Sequence, residues 1–226
     1  MVKMVVFDVG ETLVDETRHW SEWADWLGIT RFTFLAGLGH IIASGRHHRD
    51  IFPILTGRDY QQVLDERSRS GWAYKIVLDD FYPDAISCIQ QLRADGLQVG
   101  VVGNQPKECE DCLLDLGIPI DLLGSSERWG VKKPDRQFFE RLIVESGLRP
   151  GDICYVGDHP ENDIAPAAAL GIRTAFIKRG PWGFAFAGHT SAREADAQIA
   201  DVHQLPEIVG GWSRRSSGVT QAPLSA

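Results

Sequence analysis

Four side chains, Asp8, Lys133, Asp158 and Asp163, have the types and spacing to do chemistry together. Asp8 ends the apolar run VVF. Asp158 and Asp163 lie in GDHPEND, just after the run ICYV, and Lys133 lies in GVKKPD, on the loop before the helix leading to that run. In an open parallel sheet, ligands bind beyond the carboxyl ends of the strands, so these residues are expected to converge there. Carboxylates crowded into a small volume repel one another unless a cation neutralises them. Oxygen-only donors at the mouth of a phosphate-sized pocket suit magnesium, which takes one or two carboxylates and keeps several waters. A carboxylate beside such an ion can attack phosphorus and form an aspartyl-phosphate, and the lysine offsets the charge of nucleophile and phosphoryl oxygens.

The elements that must position these groups are legible in the apolar pattern. Short runs at Val5–Val9, Leu97–Val102, Ile120–Leu123, Ile153–Val156 and Thr174–Ile177 read as strands buried on both faces. Between them lie helical patterns at Asp84–Asp95, Lys107–Leu116, Gln137–Ser146 and Asn162–Leu170, several ended by glycine. This alternation predicts an α/β fold, a doubly wound and mostly parallel sheet with helices on both faces. A last strand is expected at Gln198–Ala200 and a helix near Leu205–Val209. From about Thr17 to Tyr82 only helical patterns occur, which reads as a small helical cap domain inserted after the first strand. The expected division is a core of residues 1–16 and 83–212, a cap of 17–82, and a frayed tail over 213–226, where Ser, Pro and Gly are frequent.

Composition narrows the classes. A formal net charge of −8 disfavours a nucleic-acid partner, which normally calls for a basic surface. The opening MVKMVVFDVGE meets an acid at Asp8, too early for a secretory apolar region, and the longest uncharged stretch, Phe32 to Ser44, is too short to span a bilayer. A cytoplasmic protein without a membrane partner is expected. Cys88, Cys109, Cys112 and Cys154 are too few for a disulfide scaffold, and the lone C-x-x-C of Cys109 and Cys112 lacks a second pair to complete a zinc site. Trp20, Trp23 and Trp26 read as cap packing, the run Arg46, His47, His48, Arg49 as a solvated basic turn, and Lys178-Arg179 as a pair near the site.

Taken in order, VVFDVGETLVD, QVGVVGNQP, GVKKPD and YVGDHPENDIAPAAALG resemble the four motifs of the haloacid dehalogenase-like (HAD) hydrolase superfamily, in its helical-cap, phosphatase-like branch. The resemblance implies a HAD-like Rossmannoid core and a cap that closes over the active site and selects substrate. It implies Asp8 as nucleophile, with Mg2+ held by Asp8, the backbone carbonyl of Gly10 and the side chain of Asp158. Asp163 would bind a metal water or orient Lys133, and Gly103, Asn104 and Lys133 would lie where the phosphoryl group is held. The expected partner is a small phosphorylated metabolite, and a homodimer is compatible with the sequence.

The chain departs from that pattern twice. The family's phosphatases usually carry a second aspartate two residues after the nucleophile, as general acid and base, and here that position is Gly10. They carry Ser or Thr where this chain has Gly103. General acid–base help is worth ~10²–10⁴ in rate, so the loss matters. Glu11, beside the vacant position, is the nearest substitute, though in a flap turn a solvated glutamate is the plainer reading. The leading expectation is a magnesium-dependent hydrolase of a small phosphate ester. The alternatives are a catalytically weak binding or regulatory protein and, further off, a metal-independent dehalogenase.

Overall fold

The structure, a computed structural model, describes residues 1–217. Six parallel strands form one sheet in the order β3-β2-β1-β4-β5-β6, with β1 (Met4–Phe7), β2 (Gln98–Gly103), β3 (Leu122–Ser125), β4 (Ile153–Gly157), β5 (Arg173–Ile177) and β6 (Ala197–Ile199). Successive side chains of a strand point to opposite faces, and the central strands are apolar at every position. Val5 and Phe7 therefore join Val99, Val101, Cys154 and Val156 under one helical layer, while Met4 and Val6 join Val102, Ile153 and Tyr155 under the other.

Twelve helices are described: α1 (Thr17–Leu27), α2 (Arg31–Ala43), α3 (Ile51–Thr56), α4 (Tyr60–Arg69), α5 (Ala85–Ala94), α6 (Glu108–Asp115), α7 (Ser126–Trp129), α8 (Arg136–Ser146), α9 (Ala165–Ala168), α10 (Gly180–Phe186), α11 (Thr190–Glu194) and α12 (Leu205–Ser217). Helices α5, α6 and α12 cover the first face through residues such as Ile89, Leu113 and Leu205. Helices α8 and α9 cover the second through Phe138, Phe139, Leu142 and Ala167. The expected tail is corrected in part. Helix α12 runs on through Ser217, because Leu205 and Val209 pack into the core and Arg173 lies over the Trp212 ring at 5.1 Å. Residues 218–226 of that expected tail lie outside the described residues.

Helices α1–α4 stand apart from the sheet around their own cluster of Trp20, Trp23, Phe34, Ile42, Ile51 and Phe52. Trp20 and Trp23 are buried there and Trp26 lies at the rim, edge-on to Trp23. The two connections between this unit and the sheet run side by side. The Asp15 amide donates to the Asp80 carbonyl (2.7 Å) and the Tyr82 amide to the Leu13 carbonyl (2.9 Å). Arg18 braces them with paired bonds of 2.6 Å to Asp80. The same cluster also takes in Trp182 and Phe186 of α10, so this helical unit packs on the rest of the chain at a second place.

Sheet order reverses direction at β1, which lies between β2 on one side and β4 on the other. Such a switch point opens a crevice at the strand ends. Asp8, Gly157 and Asp158 lie at its floor, the Asp8 amide donating to Val156 at 2.9 Å.

Among the described residues no single helix is long and apolar enough to cross a membrane. Cys109 and Cys112 sit on α6, buried and half-buried, and the only group of side chains able to share a metal ion among the described residues lies elsewhere.

Candidate active site

At the crevice the four expected side chains meet. The Lys133 ammonium lies 2.7 Å from Asp8 Oδ1 and 2.6 Å from Asp163 Oδ1, out of contact with solvent. Asp163 is held in turn, its Oδ2 accepting the His159 amide at 2.9 Å. Gly157 allows this approach, since a Cβ there would collide with the Asp163 carboxylate. Asp8, Asp158 and Asp163 bring one carboxylate oxygen each to within 4.8 Å of the others.

Electrostatics decide what this cluster needs. Burial, followed by the charges of Asp163 and Asp8, pushes the Asp158 carboxyl well above the ordinary range. Burial also raises Asp8, against the pull of Lys133. Burial alone would lower Lys133, but Asp163 and Asp8 together push it well above the ordinary ammonium value. Lys133 offsets one of the three negative charges. Asp158 Oδ2 is buried with no hydrogen-bond donor to receive. An orphaned carboxylate oxygen beside two others, in an oxygen-only donor set, fits a hard divalent cation, which would complete that oxygen's coordination and balance the remaining charge.

Asn104 does something the sequence did not suggest. Its Oδ1 accepts the Lys133 amide (2.8 Å) and its Nδ2 donates to the Lys133 carbonyl (2.9 Å). The side chain expected to bind a phosphoryl group is thus committed to the loop that aims the lysine. Gly103 lies against Asp8 instead, because a Cβ there would stand 2.5 Å from Asp8 Oδ1. A serine at that position would require the Asp8 carboxylate to move.

Glu11, weighed as a substitute acid but read more plainly as solvated, is in fact buried and turned aside. It adopts φ of 54°, its Oε1 accepts the Glu16 amide (3.0 Å) and its Oε2 accepts the Tyr82 hydroxyl (2.6 Å). Gly180 makes room for it, since a Cβ there would strike the Glu11 carboxylate. Arg179 closes the same turn, donating to the Thr12 carbonyl at 2.9 Å, pairing with Asp84 and stacking on the Tyr82 ring. Of the Lys178-Arg179 pair, Arg179 is thus a buried brace, while Lys178 is exposed, over the Phe184 ring. The basic turn also differs from expectation at one position. His48 is partly buried, edge-on to Trp20 and Trp182, while Arg46 lines a cavity of about 230 Å³ with His159, Trp182 and Phe186 at the cap–core seam.

The residue missed by sequence reading is Glu16, at the start of α1. Its Oε2 accepts the Trp20 indole N–H at 3.0 Å, and its Oε1 lies 2.5 Å from where a Cβ on Gly10 would be. Burial, then the charge of Glu11, with Asp8 and Asp15 adding to it, pushes its carboxyl up to about 8 against the Trp20 bond. The available signal was the Glu16–Trp20 spacing of one helical turn, which is too common to single out.

The sequence profile of the haloacid dehalogenase-like hydrolases matches residues 2–171. The chain belongs to that family. A glyceraldehyde 3-phosphate phosphatase of Methanocaldococcus jannaschii is 32% identical over 142 residues, covering 61% of this chain and 62% of the relative. The match to a second protein of that description, from Methanopyrus kandleri, is 36% identical and covers 45% of each chain. The family member described here thus spans less than two thirds of the length of these relatives. Among solved structures, a predicted phosphoglycolate phosphatase from Haemophilus somnus superposes with a TM-score of 0.67 at 18% identity, over 92% of this chain and 98% of that one. An L-2-haloacid dehalogenase from Xanthobacter autotrophicus superposes with 0.64 at 18% identity, over 93% and 99%. These two likenesses establish the fold alone.

Proposed function

We propose that this family member is a magnesium-dependent phosphatase of small phosphorylated metabolites, working through an aspartyl-phosphate on Asp8. The observation that carries the reading is the orphaned Asp158 Oδ2 beside Asp8 and Asp163. Asp163 has a partner in Lys133 whatever the chemistry, but the buried Asp158 oxygen has none, and a bound cation gives it one. The phosphatase relatives support the same side.

Asp8, Asp158 and, through a water, Asp163 would hold the magnesium, which when bound supplies positive charge for the phosphoryl oxygens. The chain's own residues do the rest. The Asp8 carboxylate attacks phosphorus, the ester P–O bond breaks, and the alcohol oxygen leaves with the electron pair. Lys133 favours the ionised form of Asp8 against the effect of burial and offsets charge on the transferring group. Asp163 and Asn104 fix that lysine from its head and its backbone. Water then attacks the phosphorus of the acyl phosphate, the bond to Asp8 breaks, and inorganic phosphate is released. A phosphate-release assay over a panel of sugar, acyl and amino-acid phosphates tests the reading. Turnover that needs magnesium and vanishes in Asp8→Asn is expected, and turnover in a folded Asp8→Asn protein would overturn it.

A further inference from the structure

Breaking an alkyl phosphate releases an alkoxide, which needs a proton, and the later attack by water needs a base. Gly10 offers no side chain for either task. Around Asp8, Asp158 belongs to the carboxylate cluster assigned to the metal, and the other nearby acids are engaged. Glu11 is bound by Tyr82 and the Glu16 amide, Asp15 Oδ1 accepts the Thr17 amide at 2.8 Å, and Asp163 is bound by Lys133 and His159.

Glu16 is placed differently. A glutamate at a helix N-cap can accept one of the first amides of its helix, but Glu16 makes no such bond. Trp20 holds its Oε2, and this turns Oε1 into the space that a side chain on Gly10 would fill. Glu16 is near enough to Asp8 for their charges to act on each other. Gly10 itself is outside the left-handed region, so its lack of a side chain answers to the neighbouring carboxylate and not to backbone strain.

We infer that Glu16, reaching in from the N-cap of α1, is the general acid and base of this site in place of a side chain at position 10. This rests on the phosphatase reading above. In the first step the Glu16 carboxyl gives its proton to the leaving alcohol oxygen as the P–O bond breaks, and becomes a carboxylate. In the second it takes a proton from water as that oxygen bonds to phosphorus and the bond to Asp8 breaks, which restores the carboxyl. The acid thus stands at the N-cap of α1, where the helical unit joins the first strand's flap. An aspartate introduced at position 10 alone would meet Glu16 Oε1 and would have to displace it.

The test measures kcat/KM and pre-steady-state release for a series of phosphate esters of graded leaving-group acidity. It uses the native protein, Glu16→Gln, the double variant Gly10→Asp/Glu16→Ala, its parent Glu16→Ala, and Asp8→Asn. Glutamine keeps the bond to Trp20 but carries no transferable proton. Glu16→Gln is expected to lose ~10²-fold or more on alkyl esters and to give a steep leaving-group dependence. On an aryl phosphate it should release one equivalent of phenol in a burst and then stall. The double variant should recover at least about tenfold over Glu16→Ala on alkyl esters, since the carboxylate returns from the other side of the same space. A leaving-group slope in Glu16→Gln equal to the native slope, with no burst, overturns the inference while turnover abolished by Asp8→Asn keeps the phosphatase reading. No turnover of any ester by the native protein overturns both.

Discussion

Asn104 grips Lys133 by both polar groups of its backbone, accepting from its amide and donating to its carbonyl. A side chain from the end of β2 thereby sets the loop whose lysine bridges Asp8 and Asp163. Asn104→Ala leaves both backbone groups without these partners. It is expected to cost about 1–3 kcal/mol of stability, read by chemical denaturation. It should also lower kcat more than it raises KM, because the lysine acts on the transferring group and not on distant parts of the substrate. A variant as stable and active as the native protein would mean that the loop is set elsewhere.

The orphaned Asp158 oxygen gives a metal prediction with two parts. Magnesium should raise the melting temperature by mass action, since the site exists only in the folded chain. Asp158→Asn should remove that rise. Without magnesium the same variant should melt at or above the native protein at neutral pH, because it discards a charge that burial and two neighbouring carboxylates oppose. An unchanged magnesium shift in Asp158→Asn would contradict the assigned site.

Glu11 and Glu16 are five residues apart and carry opposite expectations. Glu11 ties the flap turn to Tyr82 and to the start of α1, so Glu11→Gln should lower stability by about 1–2 kcal/mol. Its leaving-group dependence should stay that of the native protein. A steepened dependence in Glu11→Gln would move the proton transfer to that residue.

Two cap histidines predict acid sensitivity. Burial, with Arg67 adding to it, lowers His19 to about 4, and burial, with His47 adding to it, lowers His48 to about 3. Both start from an ordinary value of 6.5, so the unfolded chain takes the protons first. Their contribution is complete above 6.5 and falls as the pH drops from there towards 4. The buried carboxyls Asp8, Asp158 and Glu16 are shifted the other way and gain stability over an acid range, so the whole-protein curve mixes both signs. The difference between native protein and His48→Gln isolates the histidine. The variant's melting temperature should decline less between pH 6.5 and 4.5, and parallel curves would contradict the assignment.

Much of this was readable in the chain. Asp8, Asp158 and Asp163 converge as expected because they lie just beyond apolar runs that form buried strands, whose ends in a parallel sheet lie on one edge, and Lys133 joins them from the loop before α8. Trp20 and Trp23 also pack inside the helical unit as read, whereas Trp26 is exposed at its rim. Three things were not legible. Asn104 was read as a ligand because a side chain's partner thirty residues away leaves no mark in local pattern. Glu11 was weighed and Glu16 was not because adjacency in sequence was the only guide, and a φ of 54° sends the nearer side chain away. The helix beyond Ser213 was missed because glycines and serines weigh against helix locally, while the packing of Leu205 and Val209 supports it.

The central claim is that Asp8 takes the phosphoryl group. Rapid acid quenching of the protein with magnesium and an aryl phosphate, followed by mass measurement of its peptides, tests it directly. The account predicts one added phosphoryl group on the peptide containing Asp8, sensitive to hydroxylamine, accumulating further in Glu16→Gln and absent in Asp8→Asn. Turnover with no phosphorylated peptide at any quench time in Glu16→Gln, or with the group on another residue, would contradict it.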